Sequence, residues 1–322
     1  MAVCSGVLVV AYGGPSNKEE VTPFLAGMAR HGRLNPARIP ELEEQYRNAR
    51  GLSFVGAVTA AQAEACRTEL ASRSLNMPSY VGMRHWNPYI ADTLRGMADD
   101  GICQMAVIIM APHGEESSRA HYRRAIDDAI AEVGVRAPTP VYTANWHNHP
   151  LYIEALAGRV QETIAAKPAL AGLDIPWIFT AHSVPQRGGG AEYTADFMAT
   201  GNALSAHLGH PWIPAYQSAP PTGATSRPAI GGADAPPGTG SAWLGPDISD
   251  VLRECAKKGH KSALVVPIGF LADHKEVAYD LRVAANAAAR EAGLEPAVAS
   301  TVGTHPVFIK MMADLVQQAL AE

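Results

Sequence analysis

His182 closes the apolar run Pro176-Trp177-Ile178-Phe179-Thr180, which reads as a buried strand, and lies within Thr180-Ala181-His182-Ser183-Val184-Pro185. Imidazole changes charge near neutral pH and binds metals. Parallel α/β sheets hold their ligands in the crevice beyond the carboxyl ends of the strands. Similar polar groups collect at other expected strand ends: Tyr12-Gly13-Gly14-Pro15, Arg84-His85-Trp86-Asn87, Pro112-His113, and Pro267-Ile268-Gly269-Phe270 followed by Asp273-His274-Lys275-Glu276. A single strand-end histidine more often caps a helix or bonds a carbonyl than performs chemistry. His85, His113 and His182 together, with Tyr12 and an acid-rich helix start, point to a cleft that handles protons or a cation. Glu276 and Asp280 share one helix face by their i,i+4 spacing. They either complement the positive end of that helix or guide a cation, with Glu276 set opposite His182.

Several chemistries lack their signatures. Gly13-Gly14 does not extend to GxGxxG, because Asn17 stands where the third glycine would be. No GxxxxGKS/T is present, and Gly-x-Ser-x-Gly is absent, which removes the nucleophile elbow of an α/β-hydrolase. A net charge of −5 implies no broad basic surface for nucleic acid. No apolar run reaches the ~18 residues of a membrane span. Met1 to Tyr12 carries no basic segment ahead of its apolar run and reads as a first strand, so no signal peptide is expected. The 4 cysteines, Cys4, Cys66, Cys103 and Cys255, form no CxxC and are expected to be buried free thiols in a reducing cytoplasm.

The elements that must position these groups follow from hydrophobic patterning. Strands are expected at Val7–Tyr12, Tyr80–Met83, Met105–Ala111, Pro140–Ala144, Trp177–Ala181, Ala263–Ile268 and Ala297–Thr301. Helices are expected at Glu41–Arg50, Val58–Ser72, Pro88–Asp99, Ser118–Glu132, Pro150–Ala166, Glu192–Leu208, Ile248–Lys258, His274–Ala292 and Pro306–Ala321. Their alternation defines an α/β protein with doubly wound parallel sheets. A division near Pro168–Asp174 separates an N-terminal unit, 1–168, from a C-terminal unit, 169–304. The last helix, 305–322, is expected to pack back on the first unit. Residues 219–241, rich in Pro, Gly, Ser and Ala, have no periodicity and read as an insertion into the second unit.

These motifs, in this order and spacing, resemble the ferrochelatase family nearly end to end. The stretches that carry the resemblance are Ala11-Tyr12-Gly13-Gly14-Pro15, Gly82-Met83-Arg84-His85-Trp86-Asn87-Pro88, Ala111-Pro112-His113, Thr180 to Pro185, Tyr216-Gln217-Ser218, Trp243-Leu244-Gly245-Pro246-Asp247, and Pro267 to Val277. The resemblance implies two Rossmann-like domains around a porphyrin-binding cleft and insertion of Fe²⁺, a substrate, into a porphyrin during haem biosynthesis, with no cofactor required. It carries the catalytic and metal-ligating roles onto His182 and Glu276. It makes Tyr12, Arg30, Tyr46, Ser53 and Tyr122 porphyrin contacts, and His85 and Asp280 supporting residues. Ala11-Tyr12-Gly13 is similar to the coproporphyrin III branch, and the alternatives are a protoporphyrin IX ferrochelatase or a non-catalytic porphyrin- or haem-binding homologue. A cytoplasmic enzyme in transient contact with neighbouring haem-pathway enzymes is implied, without nucleic acid or a membrane span. The chain departs from the pattern at Gln45, Phe54, Gly114-Glu115-Glu116 and Ala284. The last of these stands where a third acid is expected beyond Asp280.

Overall fold

The computed structural model describes residues 4–167, 170, 174–219 and 242–321. The expected insertion therefore lies, beyond Ala219, outside the described residues, as does most of the boundary near 168–174.

Two parallel four-stranded sheets carry the molecule, with orders β2-β1-β3-β4 and β6-β5-β7-β8. The first comprises β1 (Ser5–Ala11), β2 (Ser79–Met83), β3 (Gln104–Ile109) and β4 (Thr139–Tyr142); the second comprises β5 (Trp177–His182), β6 (Trp212–Gln217), β7 (Ser262–Val266) and β8 (Glu295–Val298). The central strands are apolar without alternation because helices cover both faces. Val7, Leu8, Val9 and Val10 are fully buried, as are Ile178 and Phe179. Each such side chain contributes about 1.5–3 kcal/mol on burial. The helices are α1 (Val21–Arg30), α2 (Ile39–Asn48), α3 (Val55–Ser72), α4 (Ile90–Asp99), α5 (Ala120–Val133), α6 (Pro150–Ala166), α7 (Gly190–Leu208), α8 (Ile248–Lys257), α9 (Asn286–Glu291) and α10 (Pro306–Ala319).

Two elements were not anticipated. Val21, Phe24, Leu25 and Met28 bury one face of α1 at helical spacing. Pro23 and Gly27 weaken that pattern in sequence, but proline in a first turn forfeits no helical hydrogen bond. Strand β6 contains Pro214, which an edge strand tolerates. One expected helix also changes character. Glu276–Ala285 is π-helical before α9 continues it, and Glu115–Arg119 forms a π-turn before α5. Such wide turns are frequent at functional sites.

The cysteine expectation is corrected. Cys4 and Cys103 form a disulfide with Cα atoms 5.4 Å apart, whereas Cys66 and Cys255 are free and buried. Parallel pairing of β1 with β3 sets Ser5 opposite Gln104. It thereby brings together the residues before each strand, although 99 positions separate them.

One buried cluster runs from Val7, Val9 and Ile108 through Trp146 and Tyr152 to Phe179, Val266 and Phe308, so the sheets share a core. Helix α10 packs on α3, α6 and β3. Polar ties cross the same seam. The Tyr152 hydroxyl donates to the Ile268 carbonyl at 2.7 Å, and the Gln62 amide donates to the carbonyls of Leu271 and Gly303 at 3.2 and 2.9 Å. The carboxyl ends of both sheets thus open on one cleft.

Candidate active site

The cleft encloses about 1300 Å³, with open solvent at its mouth included. From the first sheet it takes Ala11 to Gly14 at the end of β1 and Met110 to His113 after β3; from the second it takes His182 and Gly269 to Ala272. Gly13 and Gly14 let the chain turn tightly out of β1. Gly13 adopts φ +100°, and a Cβ there would lie 2.8 Å from the Trp86 nitrogen. A Cβ on Gly14 would lie 2.3 Å from Val55. Only glycine fits both positions, and Tyr12 is thereby held at the cleft.

His182 and Glu276 meet directly, with Nε2 3.6 Å from Oε1 and Glu276 only 3% exposed. Strand β5 ends at His182, whose Nδ1 contacts the Ser183 carbonyl. Glu276 opens the π-helix, where the positive end of the backbone dipole favours a carboxylate. Gln217, at the end of β6 and in register with His182, donates from Nε2 to the Glu276 carbonyl at 2.5 Å. The Glu276 amide in turn donates to His274 Nδ1 at 3.1 Å. Burial pulls the His182 pKa down, but the Glu276 carboxylate outweighs it and holds the imidazole above its ordinary value. Burial pushes Glu276 up, and His182 and its other cationic neighbours bring it well below the usual carboxylate range. The raised imidazole and the lowered carboxylate both favour the imidazolium–carboxylate form of this pair on one wall. This corrects the expectation that Glu276 stands opposite His182: the end of β5 and the start of the π-helix are neighbours in the same half of the molecule.

The facing wall is aromatic. Tyr12 meets the His85 ring edge-on at 4.5 Å. His85 stands behind Tyr12 outside the cleft lining, and burial together with the Arg84 guanidinium takes its pKa down to about 3. Tyr122 lines the cleft under the Arg84 guanidinium, 5.0 Å from the ring centroid, and burial pushes its phenol up to about 12. Tyr46 on α2 also lines the cleft; burial and then the carboxylates of Glu276 and Asp280 keep it protonated. His113 is buried and neutral, its pKa taken to about 3 by burial, and its Nε2 lies 3.1 Å from Thr200 Oγ1.

The remaining sequence-predicted residues divide. Arg30 is exposed in the last turn of α1 and is not among the cleft-lining residues. Ser53 does not line the cleft either; its amide donates to the Asp273 carbonyl at 2.8 Å and fastens the loop before α3 to the segment carrying Glu276. Asp280 faces a second, outer cavity and is bonded to Lys275 and Ser218. Gln45 and Ala284 also line that outer cavity. The Gly114 and Glu116 amides donate to Asp196 and Glu192 of α7, so this run docks the first sheet's loop on the second half. Arg84, His121 and Lys275 line the cleft as well and had not been singled out. Arg84 and Lys275 stand inside motifs already noted, and a cationic residue within a strand-end motif was the available signal.

Paired parallel sheets whose strand ends share one cleft define a chelatase-like fold. SirB from Bacillus subtilis with Fe³⁺ superposes with a TM-score of 0.58 over 98% of this chain and 95% of its own, at 13% identity. CbiX, described as the terminal enzyme for siroheme biosynthesis in denitrifying bacteria, gives 0.53 over 98% and 99%, also at 13% identity. The chain belongs to the ferrochelatase family, whose model matches residues 4–320. A ferrochelatase of Deinococcus radiodurans is 35% identical over 98% of this chain and 96% of its own length. The coproporphyrin III ferrochelatase of Mycobacterium avium is 34% identical over 97% and 87%. That of Mycolicibacterium vanbaalenii is 32% identical over 97% and 89%. Among the described residues, no helix is long and apolar enough to cross a membrane.

Proposed function

We propose that this protein inserts Fe²⁺ into coproporphyrin III to give Fe-coproporphyrin III, a step of haem biosynthesis carried out in the cytoplasm. The observation that carries the reading is the buried His182–Glu276 pair on one wall of a large cleft whose other wall presents Tyr12 and Tyr122. A flat aromatic macrocycle stacks on such a wall, and its inner face then meets the ion pair. Metallation must remove the pyrrole N–H protons and admit a dication. Glu276 favours the protonated form of His182, which cannot accept a proton. An arriving cation competes with the imidazolium for Glu276, and the imidazole proton is released. The neutral ring then accepts a pyrrole proton or ligates the iron. Gln217 and His274 hold Glu276 in place during this exchange.

The coproporphyrin preference rests on the relatives that bear that name and on Arg84 at the cleft, a guanidinium suited to additional propionates. Passage of the product to a neighbouring pathway enzyme would then require only transient contact. The test is anaerobic mixing of purified protein with Fe²⁺ and either coproporphyrin III or protoporphyrin IX, following the metallated product by absorbance. Faster turnover of coproporphyrin III is expected. Preference for protoporphyrin IX overturns the substrate assignment, and binding of both without turnover overturns the enzyme in favour of a binding homologue.

A further inference from the structure

The outer cavity, about 1000 Å³ with its open mouth included, shares with the porphyrin cleft only the wall made by His182, Lys275 and Glu276. Its lining is rich in oxygen. The Asp280 carboxylate accepts a hydrogen bond from Ser218 Oγ at 2.5 Å. Next to Ser218, the Gln217 side chain has a buried Oε1 with no hydrogen-bond partner among the described residues. A carboxylate, a hydroxyl and an amide carbonyl are donors that hard divalent cations use. Here the cation is a side chain: Lys275 Nζ lies 3.1 and 3.4 Å from the two Asp280 oxygens, and the lysine side chain is only 10% exposed. Ordering and desolvating a lysine opposes folding, whereas an apolar residue would fill the same wall without that cost. Among the described residues, no group of 3 or more His, Cys, Asp and Glu side chains is arranged to hold a metal.

Resting on the reading of the protein as a ferrochelatase, we propose that Lys275 is a tethered cation that occupies Asp280 and denies it to a divalent metal. The metal substrate then engages His182 and Glu276 without first being held in the outer cavity. Asp280 accordingly serves as the anchor of the lysine in this chain.

The test is titration of the porphyrin-free protein with Mn²⁺, reading free Mn²⁺ by electron paramagnetic resonance. Lys275→Met is expected to tighten Mn²⁺ binding roughly 10-fold, because a unit charge a few ångströms away has been removed. Adding Asp280→Asn to that variant is expected to restore affinity to within about twofold of the wild type, since the carboxylate that gained the metal is gone. Lys275→Gln keeps a polar stem and is expected to act in the same direction if the methionine variant does not fold. Unchanged Mn²⁺ affinity in a folded Lys275 variant overturns the proposal, as does a gain that survives Asp280→Asn. If the wild type metallates no porphyrin while this pattern holds, the functional reading falls and the role of the lysine stands. Turnover without any response to Lys275→Met reverses that outcome.

Discussion

The two sheets have the same strand order, yet their carboxyl ends carry different chemistry. Beyond β1 and β3 the cleft meets Tyr12, and with it Tyr122 and His113, which burial keeps uncharged. Beyond β5, and at the start of the π-helix, it meets His182, Lys275 and Glu276, with the His182–Glu276 ion pair buried. The amino ends differ too: Cys4–Cys103 clamps the first sheet, while Cys255 in the second half is free. One topology therefore supplies an aromatic wall with the Arg84 guanidinium over Tyr122, and a wall built on the His182–Glu276 pair. The division of labour lies in the residues that follow the strands.

The largest expected effect breaks the charged wall. His182→Ala, or Glu276→Gln, should slow metallation about 100-fold or more while porphyrin affinity, read by fluorescence quenching, changes little. Undiminished turnover in His182→Ala would remove the proposed mechanism. Next, reduction of Cys4–Cys103 should lower unfolding free energy by about 2–4 kcal/mol in urea. Turnover should be unaffected, because the bond joins the amino ends of β1 and β3, away from the cleft. Third, Tyr12→Ala should weaken porphyrin binding roughly 10-fold with a smaller effect on the chemical step. A reversed split between affinity and turnover would assign Tyr12 to the chemistry.

The smallest effects concern pH. His182 must be neutral to accept a proton, and its pKa is raised, so kcat/KM should climb as pH rises through that value. Glu276→Gln removes the carboxylate responsible, and the residual acid limb should move to lower pH. Stability follows from the same shifts. The contribution of a raised histidine such as His182 is complete below its unfolded value of about 6.5 and is lost as pH rises through the folded value. His85 and His113, depressed to about 3, act in the opposite sense: their contribution is present above about 6.5 and is lost as pH falls toward 3. Thermal unfolding across this range should therefore peak near neutrality, and His113→Phe should flatten the acid side.

Much of this was legible in the amino-acid order. Unbroken apolar runs such as Val7 to Val10 identify buried parallel strands, because both faces are covered, and the strand-end motifs name His182, Glu276 and Tyr12. Strand β6 and helix α1 were obscured by Pro214, Pro23 and Gly27, residues whose effect depends on whether they fall at an edge or in a first turn.

The sequence by itself determined the residue types, the strand–helix alternation and the family to which their order belongs. The tertiary structure decided which of those residues touch. It joined Cys4 to Cys103 across a sheet, set Arg30 and Ser53 outside the cleft lining, and put Glu276 beside His182. It also laid Lys275 against Asp280. Each of these depends on distances between segments remote in sequence or on the pitch of a π-helix. Such distances are fixed by the packing of whole elements, and local patterning carries no measure of them.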